Sequence, residues 1–157
     1  MAPPPPSDDR DESHDEKLDR NWGELLQELR ITQTGLQLLA GFLLTLPFTQ
    51  VFHDLDDRQK TLYLGLVLVA GLTLGVNMVP VMLHRRLFGE HVKERVVQVG
   101  HLVAQIVIAA IAVLVVGMAT LIFSVVAGWT AGIVVAAFLT VVLGSLLGVL
   151  PERLDPH

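Results

Sequence analysis

The chain has 157 residues, of which 52% are hydrophobic and 17% charged, with a formal net charge of −5. That length allows one compact bundle and excludes a separate catalytic domain, and the absence of cysteine excludes disulfides, a thiolate nucleophile and a thiolate metal site. Seven acids and three bases fall within residues 1–20, so the rest of the chain is nearly neutral and carries no basic patch for nucleic acid.

Residues 1–19 are poor in apolar side chains, with Pro3 to Pro6 in a row followed by Ser7-Asp8-Asp9-Arg10-Asp11-Glu12. Such a segment buries too little surface to offset chain entropy, which predicts a disordered acidic tail. It lacks the basic start and apolar stretch of a signal peptide. From Asn21 the pattern changes: Trp22, Leu25, Leu26 and Leu29 recur at helical spacing, with Glu24, Gln27, Glu28 and Arg30 between them. This predicts an amphipathic interfacial helix entering a first membrane span, with Trp22 at headgroup level.

The first span is expected at about 33–52. Its purely apolar part, 36–52, is at the lower limit for crossing a bilayer, so a full crossing takes in Gln33, Thr34 and Gln37. Gln33, Gln37, Gly41 and Thr45 follow at i+4 steps and form a polar-to-small column expected to face other helices. Pro47 is expected to kink the far end. A short polar loop around residues 53–60 follows, in which Asp54 or Asp56 is placed to cap the second span. That span, at about 61–83, carries Gly71 and Gly75 on one face, then Asn77 and Pro80. The stretch 84–100 is the long polar connection, and from Glu90 it reads as a helix continuous with the third span.

Residues 102–150 contain no Asp, Glu, Lys, Arg or His. A single helix of that length would extend about 70 Å, against a hydrocarbon core of about 30 Å. The run must therefore fold back once, giving spans at 102–126 and 129–150 with the turn near Ala127-Gly128-Trp129. In the fourth span Gly128, Gly132, Ala136, Thr140, Gly144 and Gly148 follow at i+4 intervals. Small residues permit close backbone approach in lipid, so this column is expected to lie against another helix, in the same chain or in a second copy.

The whole reads as all-α: an integral membrane four-helix bundle over 20–151, with an amphipathic interfacial helix before it, the acidic tail at 1–19 and a short cytoplasmic tail at 152–157. With four spans, the N-terminal side, the middle connection and the C-terminus share nine Lys and Arg, against Arg58 and Lys60 opposite. That bias predicts both termini in the cytoplasm.

None of the four apolar cores contains a titratable Asp, Glu, Lys, Arg or His, the groups on which proton- and cation-coupled transport ordinarily turns. What remains is a candidate polar pathway of Glu28, Arg30, Gln33, Gln37, Asn77, His101 and Gln105. Each has a plainer use: Glu28 and Arg30 as interfacial charges, Asn77 as an interhelical hydrogen-bonding group, His101 and Gln105 as boundary polar groups. His53, Asp54, Asp56 and Asp57 lack metal-ligand spacing and are neutralised by Arg58 and Lys60, so no metal site is expected. No phosphate loop, nucleophile elbow or zincin helix occurs, and neither catalytic residues nor a cofactor are expected.

The run Glu24-Leu25-Leu26-Gln27-Glu28-Leu29-Arg30, then Gln33-Thr34-Gly35 and Phe42-Leu43-Leu44-Thr45-Leu46-Pro47-Phe48, with the later His84-Arg85 pair, resembles an uncharacterised family of small actinobacterial four-span membrane proteins. The resemblance covers roughly residues 24–150 and implies a multi-pass fold in the plasma membrane. Its members sometimes carry a sodium/proton antiporter label, which calls for an intramembrane carboxylate that these cores lack. The function expected is therefore non-enzymatic: a small membrane protein acting through helix packing, as an oligomer or as a subunit of a membrane complex. The partners expected are the lipid bilayer, further copies or another membrane protein, and no nucleic acid. The alternative is a small transporter or channel whose pathway runs along the first span.

Overall fold

The computed structural model describes residues 14–86 and 93–154. Every regular element in them is helical: α1 (His14–Thr45), a 3-10 turn (Leu46–Phe48), α2 (Gln50–His53), α3 (Asp57–Asn77), α4 (Val79–Arg86), α5 (Lys93–Ala127) and α6 (Trp129–Leu154). The Pro-rich start of the predicted tail, the middle of the 84–100 connection and the last three residues lie outside the described residues.

α1 begins at His14, inside the segment predicted to be disordered, and continues without interruption through the apolar stretch. The predicted interfacial helix and first span are thus one helix of 32 residues. No proline falls within it, and nothing else breaks its hydrogen-bond ladder. Pro47 does not kink this helix but ends it. The α-helix stops at Thr45, a 3-10 turn carries the chain to Phe48, and Thr49 is extended with φ −97° and ψ 152°. The missing N–H of Pro47 removes the donor that the Leu43 carbonyl would otherwise receive.

α3 starts on Asp56. Its Oδ1 accepts the Gln59 N–H at 2.8 Å, while Gln59 Oε1 accepts the Asp56 N–H at 2.9 Å, a reciprocal capping box. The predicted second span is then divided. α3 ends at Asn77, Met78 forms a turn, and α4 restarts one residue before Pro80, whose lack of an N–H prevents an unbroken helix. The turn between α5 and α6 is the single residue Gly128, in the predicted position. Its φ of +87° suits glycine alone among ordinary L-residues.

α1, α3 and α5 pack on one another in two apolar layers. One holds Leu36, Ala40, Leu43, Tyr63, Leu66, Ala70, Leu114 and Leu121. The other holds Leu25, Leu29, Val103, Ala104 and Val107. Gly117 lets Leu66 reach the α5 backbone, since a Cβ there would collide with the leucine side chain. α6 is different: among the described residues its packing is along α5, with a single bond from Trp129 at its start to Asp56 at the head of α3. Only 6% of its apolar window is buried within the chain.

The fourth-span column divides accordingly. Gly132 is buried on α5, where a Cβ would come within 2.9 Å of the Thr120 carbonyl oxygen and 3.2 Å of Ser124 Cβ. Ala136 is half-buried, but Thr140, Gly144 and Gly148 are exposed. The reason is geometric. At 3.6 residues per turn, each i+4 step overshoots a full rotation by about 40°, so an i+4 column winds around a straight helix. The face touching α5 follows residues 132, 135, 136, 139 and 143 instead. The same drift turns the α1 column outward: Leu36, Ala40 and Leu43 are buried, whereas Gln37, Gly41 and Thr45 are exposed.

Candidate functional site

The structure scatters the predicted polar pathway. Glu28, Arg30, Gln37, His101 and Gln105 are exposed, Gln33 is half-buried, and Asn77 alone is buried, at 2% exposure. Glu28 and His101 share no enclosed polar space; between their helices lies the layer of Leu25, Leu29, Val103, Ala104 and Val107. The Thr32 and Thr34 hydroxyls donate to carbonyls of their own helix, at Glu28, Leu29 and Arg30, and so add nothing to a pathway.

Two buried side chains of α3 donate to carbonyls of α1. Asn77 Nδ2 donates to the Leu29 carbonyl at 3.5 Å, and the Tyr63 hydroxyl donates to the Leu43 carbonyl at 3.1 Å. Fourteen residues separate the two positions on each helix, so the bonds fix one antiparallel register at two levels about 21 Å apart. The Tyr63 bond follows from Pro47, because it supplies a donor to the carbonyl that the proline leaves unmatched. Phe52 supports the ring edge-on, with centroids 5.0 Å apart. Asn77 is less well satisfied: its bond is long, and its Oδ1 is buried without a partner.

A second polar cluster closes the opposite end of the molecule, where Asp56, Gln59, Ser124 and Trp129 converge from α3, α5 and α6. Gln59 Nε2 donates to Ser124 Oγ at 3.3 Å, and Ser124 Oγ donates to the Leu121 carbonyl at 2.8 Å. The Trp129 indole N–H donates to Asp56 Oδ2 at 2.9 Å. The Gln59 backbone N–H and the Trp129 indole together hold the Asp56 carboxyl below its ordinary range. Sequence reasoning placed a cap at Asp54 or Asp56 and a turn near Ala127-Gly128-Trp129, but did not join them. The available signal was the Asp56-x-x-Gln59 capping-box spacing.

Nearby, a cavity of about 190 Å³ lies between the end of α1, α2 and α5. Its lining is apolar throughout, with Phe42, Leu46, Phe52, Met118 and Val125 among the walls. It offers nothing to orient a polar substrate or to coordinate an ion. Among the described residues no three His, Cys, Asp or Glu side chains are grouped to hold a metal.

Large apolar side chains point outward as freely as inward: Leu38 is 76% exposed, Phe48 90% and Val126 80%. Four helices, Arg20–Phe48, Asp57–Met82, Gln98–Ala127 and Trp129–Gly148, are long and apolar enough to cross a membrane. This is the build of a multi-pass membrane protein. The chain belongs to a family of unknown function, DUF6328, which matches residues 11–151. No curated protein and no solved structure matches the chain.

Proposed function

We propose that this protein is a non-enzymatic four-span component of the plasma membrane, with both termini cytoplasmic. It acts by packing against other transmembrane helices, as an oligomer or as a small subunit of a membrane assembly. The observation that carries this reading is the state of α6, a long apolar helix that, among the described residues, packs along α5, touches the head of α3 only through Trp129 and leaves its remaining faces uncovered. In lipid the hydrophobic effect does not drive helices together; close backbone contact and hydrogen bonds do. The exposed side of α6 presents Thr140, Gly144 and Gly148, and that of α1 presents Gln37, Gly41 and Thr45, the residue types that such contacts use.

The transport alternative receives less support. Glu28 and His101 lie on the surface and not in a shared cavity, and the buried residues described between the helices are apolar apart from Asn77, Thr73, Gln59, Ser124 and the Tyr63 hydroxyl. The orientation rests on the nine-to-two distribution of Lys and Arg. The test is mild-detergent extraction of the tagged full chain from its native membrane. Recovery of the chain with further copies or with a defined membrane protein supports the reading, and recovery of the bare chain with lipid alone contradicts it.

A further inference from the structure

The apolar cavity beside the end of α1 lies at hydrocarbon depth. Its α1 walls stand near the end of the span Arg20–Phe48, and its α5 walls near the end of the span Gln98–Ala127. Leu43, Leu55 and Leu121 are buried and form the floor, whereas Phe42, Val51 and Val126 are exposed and form the rim. The cavity therefore opens sideways, on the outer surface between α1 and α5. α2 closes it toward the end of the bundle: Val51 and Phe52 face the cavity, while Gln50, His53 and Asp54 are polar and exposed. That division sets the mouth just beneath the headgroup layer.

The chemistry of the walls decides what fills this space. Water needs two to four polar partners, and the lining supplies none. Left empty, the walls would forfeit dispersion contacts on one side. A helix of another protein is about 10–12 Å across and cannot enter a space of about 190 Å³. Nor do the walls offer what draws helices together in lipid, since they hold no Gly, Ala, Ser or Thr and no hydrogen-bonding side chain. Hydrocarbon fits on both counts. An apolar cavity of about 150 Å³ in a soluble protein stays dry and takes up benzene, and this one is larger and opens where acyl chains are the surrounding solvent.

We propose that the cavity is a lipid site, in which one acyl chain of a phospholipid enters between α1 and α5 and rests on Leu43, Leu55 and Leu121, with its headgroup beside α2. The site is separate from the proposed role in helix assembly, and neither depends on the other.

The test uses the full chain in phosphatidylcholine bilayers containing a trace of phosphatidylcholine with a diazirine in mid-chain. Irradiation in the bilayer labels every lipid-facing surface, Leu68 on the exposed side of α3 included. Extraction into mild detergent before irradiation should strip the label from Leu68 and leave it on the cavity residues of α5, from Met118 to Val126. Val125→Phe, which fills the mouth, should lose that retained label while labelling of Leu68 in the bilayer stays unchanged, which shows that the variant is folded and inserted. Ile122→Phe is the second filler and should behave alike. Retained label that survives both fillers, or that is equal at Leu68 and in the cavity, would overturn the site. Retained label from a diazirine fatty acid but not from the phospholipid would overturn the phospholipid as occupant. So would cavity residues that, without retained lipid label, cross-link to a second protein chain.

Discussion

A tyrosine hydroxyl inside an apolar bundle costs free energy unless it finds an acceptor, and an unmatched carbonyl carries the mirror cost. Tyr63 and the Leu43 carbonyl settle both at once, and Pro47 is the cause of the vacancy. Tyr63→Phe is therefore expected to destabilise the protein by about 1–3 kcal/mol, because it leaves that carbonyl unpaired. In a Pro47→Ala background the restored backbone N–H competes for the same acceptor, so the loss on Tyr63→Phe should shrink to less than about 1 kcal/mol. Denaturant titration of the four variants in detergent measures the cycle; equal losses in both backgrounds would break the link between the proline and the tyrosine. Glycine positions separate just as sharply. Gly132→Ala presses a methyl on the Thr120 carbonyl, whereas Gly144→Ala meets open space. The first should lower the midpoint of thermal unfolding by several degrees and the second should leave it unchanged. Neither the tyrosine bond nor this contrast was legible in the sequence, because both depend on the register between helices far apart in the chain.

At the scale of elements, hydropathy located the four long helices, since charge-free runs of that length permit few other arrangements, and the glycine within the longest run located the turn at Gly128. It did not place the helix boundaries. α1 begins earlier than composition suggested, and the second span is broken at Met78 by Pro80. Nor did it choose between faces. In an apolar helix every side is hydrophobic, so the small-residue columns were the remaining guide, and i+4 columns wind away from the contact they begin in. The Asp56–Trp129 bond ties the start of α3 to the start of α6, and it is the feature most open to a pH test. The folded-state pKa of Asp56 lies below its ordinary value of 3.8, so the stabilisation is complete above that value and is lost as the pH falls through the lower, folded value. In a Trp22→Phe background, where Trp129 is the remaining tryptophan, its emission should stay constant through neutral and mildly acidic solution and shift below about pH 4. Asp56→Ala should show the shifted emission already at neutral pH. A transition centred near pH 6 would assign the effect to some other group.

For the whole molecule, the distribution of charge and the lack of titratable groups in the apolar cores make two predictions. Cysteines placed at Ser13 and at Asp54 should react oppositely with a membrane-impermeant thiol reagent in intact cells, Asp54 labelling and Ser13 remaining protected. Asp54 is exposed, so a cysteine there is reachable from the outer side. The reconstituted protein should carry no sodium-dependent proton flux above that of empty liposomes. Should flux appear, Glu28→Gln becomes the decisive variant, since Glu28 is the acid nearest the polar column on α1.

The central claim is that this chain works assembled with other membrane helices, and the mass of the native particle tests it most directly. Native mass spectrometry of the full chain, released from its own membrane at low protein concentration, should give a multiple of 17.1 kDa or a mixed particle with a defined second protein. A particle of 17.1 kDa plus bound lipid at every concentration would contradict the account.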